Sequence, residues 1–172
     1  MIYADHAATT KISETAKLAM LSAMEKDWYN PSSLYTPGQQ ASGTLMDARV
    51  RIARCLGCLP KEIYFTSGGS EADNQAILSA AAIGKRQGKM HIISTAFEHH
   101  AVLHTLKKLE KVGFEITLLD VGEKGIVSPA QVEKAIRPDT ALVTVMYANN
   151  EIGTIQPIRE IGAVCRQNGV LF

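Results

Sequence analysis

Residues 62–74 read Glu62-Ile63-Tyr64-Phe65-Thr66-Ser67-Gly68-Gly69-Ser70-Glu71-Ala72-Asp73-Asn74. The stretch passes from β-type residues through two glycines into small and helix-forming ones. It predicts a strand over 62–66, a tight turn at Ser67-Gly68-Gly69 and a helix from Ser70 that places Ala72, Ala76, Ala80 and Ile83 on one side. The same rhythm repeats toward the C-terminus. Strands are predicted over 91–94, 115–119 and 140–147, with another beginning at Val170-Leu171-Phe172. Between them lie a helix aligning Val102, Leu106 and Leu109, one capped by Ser128 with Pro129 at its first position, and one opened by Pro157. Strands alternating with helices at this spacing define an α/β fold, a mainly parallel sheet with helices on both faces. Working back toward the N-terminus, Ser13 caps a helix with Leu18, Leu21, Met24 and Trp28 on about one face. Asn30-Pro31-Ser32-Ser33 and Thr36-Pro37-Gly38 interrupt the pattern. A second helix then carries Leu45, Ala48, Ile52, Ala53 and Leu56 as a stripe and stops at Gly57.

Composition narrows the class. The chain has 172 residues, the size of one domain, with 46% hydrophobic and 20% charged residues. Eighteen basic residues against 17 acidic ones leave a formal charge of +1, so no electrostatic footprint for nucleic acid or an acidic membrane is present. There is no apolar run of spanning length and no secretory signal, and three cysteines argue against a disulfide framework. The expectation is a cytoplasmic, globular protein without nucleic-acid or membrane partners.

Three polar clusters fall at the predicted carboxyl ends of strands, where open parallel sheets bind ligands. The turn at Gly68-Gly69-Ser70 ends in a helix N-terminus, a place where free N–H groups and the dipole favour a phosphate; the alternative is a plain turn capped by Ser70. Neither a Walker loop nor Gly-x-Gly-x-x-Gly is present, which disfavours a nucleotide-binding domain. Glu98-His99-His100 offers an imidazole able to stack on a flat ligand or move a proton near neutral pH, with exposed helix histidines as the alternative. His100 and His104 stand one turn apart, but no third ligand has suitable spacing, so no metal is expected. Asn149-Asn150-Glu151-Ile152-Gly153 is either a turn or a set of ligand contacts. Cys55-x-x-Cys58 has no second pair and is read as packing, as is Cys165.

Taken together, five pieces in order resemble the N-terminal half of a cysteine desulfurase, a pyridoxal-phosphate (PLP) enzyme of the class V aminotransferase family. They are Tyr3-x-Asp5-x-Ala7-Ala8-Thr9-Thr10, Asn30-Pro31-Ser32-Ser33, residues 66–74, Glu98-His99 and 149–153. The resemblance implies the large domain of a fold-type-I PLP-dependent transferase. Residues 1–172 are then one incomplete domain, with 1–33 an N-terminal arm and helix and 34–172 the first part of the PLP-binding large domain. It implies PLP as cofactor, with Gly69 and Ser70 on its phosphate, His99 stacked on its ring as the catalytic imidazole, and Asn150 near the ring hydroxyl. Ala8, Thr9 and Asn30 match the substrate side. The implied reaction takes sulfur from L-cysteine, leaving L-alanine and an enzyme persulfide for iron–sulfur cluster assembly or other sulfur transfer. Implied partners are a second copy or a complementing C-terminal half, and a sulfur-acceptor scaffold.

The family also needs a lysine for the Schiff base, and none of the 11 lysines here lies in its Ser-x-His-Lys setting. None of Cys55, Cys58 and Cys165 matches the sulfur-accepting position. With the strand signal at 170–172 interrupted, the expectation is a truncated chain, inactive alone. The other reading is a non-catalytic interaction module, or one half of a split enzyme that pairs with a desulfurase subunit.

Overall fold

The computed structural model describes residues 2–172. The chain divides into two compact units, Met1–Phe65 and Thr66–Phe172.

In the first unit, α1 (Glu14–Lys26) starts where Ser13 accepts the Ala16 N–H on its Oγ at 3.2 Å. The apolar side predicted for α1 is present but uncovered: Leu18, Met24 and the following Trp28 are all more than half exposed. Periodicity says which side of a helix is apolar, not what lies against it. Helix α2 (Thr36–Leu56) begins earlier than the Thr36-Pro37-Gly38 interruption suggested. Pro37 is tolerated because a first-turn N–H has no helical partner to lose. Gly38 is demanded by close approach, since a Cβ there would lie 2.6 Å from the Ser33 Cβ and 2.9 Å from the Asn30 carbonyl oxygen. As predicted, α2 ends at Gly57, whose φ of 67° suits glycine.

The segment predicted as a strand over 62–66 is not one. A short 3₁₀ turn, Pro60–Glu62, leads into extended chain held by Arg49, which donates to the Ile63 carbonyl and lies 4.9 Å from the centre of the Phe65 ring. β-type residues make a strand only with a hydrogen-bonded neighbour, and none of the sheet's strands pairs with this segment. Cys55 is exposed and Cys58 intermediate, so the packing expected of Cys55 does not occur.

The second unit runs α3 (Gly69–Arg86), β1 (His91–Thr95), α4 (His100–Glu110), β2 (Glu115–Leu119), α5 (Pro129–Ala135), β3 (Thr140–Val143) and α6 (Ile158–Gln167). Its strands form a parallel sheet in the order β2-β1-β3, with Ile92 opposite Ile116 on one side and Leu142 on the other. Successive residues of the central strand face opposite layers. Ile92 packs with Ile77, Ala81, Leu106 and Leu109 of α3 and α4, while Ile93 packs with Val132, Ile161 and Cys165 of α5 and α6. Helices therefore cover both faces, as the sequence pattern predicts. Cys165 is fully buried, and that burial pushes its thiol pKa up.

Three local expectations are corrected. Gly68 occupies the N-cap position of α3, and Ser70 lies inside its first turn. The buried stripe of α3 is Ile77, Ala80, Ala81 and Gly84, with Ala72, Ala76 and Ile83 left exposed. The 3.6-residue period permits both stripes, and the close seat of Gly84 on β3 selects the first. Strand β3 stops at Val143 instead of 147, because the Met146 N–H is taken by a carboxylate, as described below. The strand signal at 170–172 is realised as one parallel bridge, Leu142 to Leu171.

Two predictions follow from the packing. A Cβ on Gly84 would lie 2.4 Å from the Ala141 Cβ and 3.2 Å from the Lys89 carbonyl oxygen. Gly84→Ala is therefore expected to destabilise the chain by about 1–3 kcal/mol, read as a lower urea midpoint. Also at the amino end of β1, the fully buried His91 ring spans all three strands, with Nδ1 2.8 Å from Thr140 Oγ1 and Nε2 2.8 Å from Thr117 Oγ1. Burial holds its pKa below the ordinary 6.5; Arg137 lowers it further, while Asp139 and Glu115 oppose. A depressed imidazole leaves the unfolded chain to take up the proton first, so stability is expected to fall as pH drops below about 6.5. Urea unfolding between about pH 7 and 5 measures this, and His91→Gln is expected to remove that part of the slope.

Candidate active site

All three predicted clusters of the second unit lie where β1 and β3 end and α3 and α4 begin. At the start of α3, Ser67 donates both its N–H and its hydroxyl to Glu71 Oε2 at 2.6 Å, and these bonds lower the Glu71 pKa. The N–H groups of Gly69, Ser70 and Glu71 form the helix's first turn and so have no carbonyl partner within it. Gly68 is extended at φ 164°, neither it nor Gly69 lies in the left-handed region, and a Cβ on either would meet nothing within 4 Å. No described part of the folded chain needs glycine there. The two residues leave an open cradle over the amides.

Asn74, one turn further along α3, ties this terminus to α4. Its Nδ2 donates to the Ser70 carbonyl at 2.7 Å and to the Ala101 carbonyl at 3.4 Å, and its Oδ1 accepts from Thr105 Oγ1 at 2.7 Å. Ala101 in turn donates its N–H to Nδ1 of His99 at 3.1 Å, so His99 is the N-cap of α4. An accepting Nδ1 leaves the proton of the neutral ring on Nε2. His99 is exposed and lines a cavity of about 360 Å³, together with Phe97, His100, Leu103, Asn150 and Ile152.

The opposite wall of that cavity is shaped by Asn149, which is buried. Its Oδ1 accepts from the N–H groups of Glu151 at 2.9 Å and Ile152 at 3.0 Å, and its Nδ2 donates to the Phe97 carbonyl at 3.3 Å. Asn150 beside it is exposed. Glu98, only 6% exposed, accepts on Oε1 from Thr95 Oγ1 at 3.0 Å and from the Met146 N–H at 2.7 Å. Burial raises its pKa, a trend opposed by those two hydrogen bonds and reinforced by Asp73.

The fold thus gathers Gly69, Ser70, His99 and Asn150 within one unit: His99 and Asn150 share a cavity, and Asn74 couples the glycine turn to the cap of α4. Ala8, Thr9 and Asn30 belong to the other unit. The Ala8 N–H donates to Asp5, the Thr9 carbonyl accepts from the Tyr3 hydroxyl at 3.1 Å, and Asn30 Oδ1 accepts from the Ser32 N–H at 2.9 Å. Asn74, Glu98 and Asn149 fall within the sequence motifs, yet their bracing role is visible only in the structure. Their partners lie 27 to 52 residues away, and no local pattern of residues marks the pairing. His100 and His104 have ring centres 5.5 Å apart, and among the described residues no group of three or more His, Cys, Asp or Glu is arranged to hold a metal.

A parallel α/β unit with a polar cavity and an open helix N-terminus at its strand ends belongs to the broad class of cofactor-binding α/β folds. Comparison with known proteins is specific: the family description "Aminotransferase class-V" matches residues 2–172, and the chain belongs to that family. It is 48% identical over 171 residues to a cysteine desulfurase IscS of Methanosarcina thermophila, covering 99% of this chain and 42% of that protein. A solved structure described as SspA in complex with cysteine superposes with a TM-score of 0.91 at 38% identity, over 96% of this chain and 48% of that one. DndA from Streptomyces lividans superposes with a TM-score of 0.87, also at 38% identity, over 99% of this chain and 48% of its own. The chain spans less than half the length of these relatives.

The Asn74 bridge is testable by unfolding. Asn74→Ala removes partners from the Ser70 and Ala101 carbonyls and the Thr105 hydroxyl, and is expected to cost about 1–3 kcal/mol. Exchange of the hydrogen-bonded amides at 72–75 and 101–105 is expected to rise more than that of β2, as hydrogen-exchange NMR will show.

Proposed function

We propose that this chain is the cofactor-cradling part of a cysteine desulfurase-like PLP protein. Residues 1–33 are the arm and first helix, and 34–172 are the first part of the large domain. The observation that carries this reading is the coupling of an open Gly68-Gly69-Ser70 helix terminus to an imidazole and an amide on one cavity. The residues present fit a flat, phosphorylated ring. First-turn N–H groups and the Ser70 hydroxyl are donors for a dianionic phosphate, and nothing on Gly68 or Gly69 obstructs it. His99 presents its ring to the cavity with Nε2 free to give a proton or take one back. Asn150 supplies an amide for the ring's polar edge. Pyridoxal phosphate, when bound, supplies an electron sink for bonds to an amino acid's α-carbon.

The lysine such chemistry requires has no counterpart in its family setting here. In this reading the chain works with residues outside this sequence, either in a complementing polypeptide or in a longer protein. L-cysteine is the proposed substrate, sulfur transfer the proposed outcome, and a second copy and a sulfur-acceptor scaffold the proposed partners. The cytoplasm is the proposed compartment; among the described residues no helix is long and apolar enough to cross a membrane. Ala8, Thr9 and Asn30 remain the proposed substrate-side residues.

Titration of the isotope-labelled chain with PLP tests the reading. Amide shifts concentrated at Gly69, Ser70, His99 and Asn150 are expected, those at 69–70 recurring with inorganic phosphate. Without a second polypeptide, PLP and L-cysteine are expected to yield neither sulfide nor alanine. Shifts elsewhere in the chain, or turnover by the chain alone, would overturn it.

A further inference from the structure

The cavity has two walls on segments far apart in sequence. His99 follows β1, whereas Asn150 lies in the turn beyond β3. Parallel pairing of β1 with β3 brings the two segments side by side, but the ladder ends at Val143, and its last link is the Thr144 N–H to the Ile93 carbonyl at 2.9 Å. Beyond it, the walls are joined by side chains. Glu98 immediately precedes His99, and its Oε1 receives the Met146 N–H from the far wall at 2.7 Å and Thr95 Oγ1 from the end of β1 at 3.0 Å. Asn149 immediately precedes Asn150, and its Nδ2 donates back to the Phe97 carbonyl of the near wall at 3.3 Å. Each proposed ligand contact is thus preceded by a buried residue that reaches across to the opposite wall.

We infer that Glu98 and Asn149 are reciprocal struts, positioning residues that fix the separation of His99 and Asn150 before any ligand arrives. The inference rests on the reading of this cavity as the site, and it adds how the site holds its width. A buried carboxylate is costly to desolvate, so its retention between two donors has to be offset by the bonds it makes. Both donors converge on one oxygen, and an amide oxygen in the same place can accept from both. Glutamine is therefore the conservative replacement for Glu98, while alanine leaves the Met146 N–H orphaned. At position 149, aspartate keeps the oxygen that accepts from Glu151 and Ile152 but loses the donor to Phe97.

The test needs no cofactor. In the isotope-labelled full chain, hydrogen exchange is followed at the Met146 amide, with Thr117 in β2 as internal reference, and through-space contacts of the His99 ring with residues 150–152 are recorded. Glu98→Ala is expected to speed Met146 exchange by about tenfold or more relative to Thr117 and to weaken those contacts. Glu98→Gln is expected to restore both. Asn149→Asp is expected to weaken the ring contacts even if Glu98→Ala does not fold. Equal acceleration at Met146 and Thr117, or ring contacts unchanged in Asn149→Asp, would overturn the inference. Because the readout is made without ligand, failure of PLP to shift the cavity amides would sink the functional reading and leave the struts standing.

Discussion

Every residue of β1 is withdrawn from water, and that single strand is where the forces in the second unit converge. It is hydrogen-bonded on both edges and packed on both faces, so its position is determined from four directions. Ile92 meets the α3–α4 layer and Ile93 the α5–α6 layer, each at 0% exposure. A fully buried side chain of this size contributes about 1.5–3 kcal/mol, so neither face is dispensable. His91 anchors the strand's amino end through two threonine hydroxyls, and Thr95 and Glu98 anchor its carboxyl end.

The consequence for the site is geometric. A parallel ladder sends all its carboxyl ends to one rim, and helix N-termini, with their free donors, gather on the same rim. Nothing in the ladder itself fixes the loops beyond it. Here that is done by polar side chains whose hydrogen bonds cross from one loop to the next: the half-buried Asn74 between α3 and α4, the buried Glu98 from the α4 entrance to the segment after β3, and the buried Asn149 back again. The exposed residues His99 and Asn150 are then free of structural duty at the atoms that face the cavity. The same pairing, a buried residue that reaches across and an exposed neighbour that lines the cavity, recurs at both walls.

Much of the fold was legible in the residues. The alternation of strand and helix signals, the caps at Ser13 and Ser128 and the stop at Gly57 all depend on local chemistry and came out as read. Errors arose where a distant partner decides. The β-type run at 62–66 has the right residues for a strand and no paired neighbour. On α3 two alanine-rich stripes share Ala80 and have the same period, and only the approach of Ala141 to Gly84 distinguishes them. The apolar run after Thr140 lost its last residues from the strand because a carboxylate from elsewhere claimed the Met146 N–H.

The motifs, their order and their family are properties of the chain read in one dimension, since residue type and spacing survive without coordinates. So is the glycine turn, because an open helix terminus can be inferred from the residues that form it. What holds the rim together belongs to the tertiary structure alone. Hydrogen bonds between Asn74 and Ala101, Glu98 and Met146, and Asn149 and Phe97 join positions 27 to 52 residues apart. Their existence depends on how the sheet aligns its strands, which no local pattern of residues specifies.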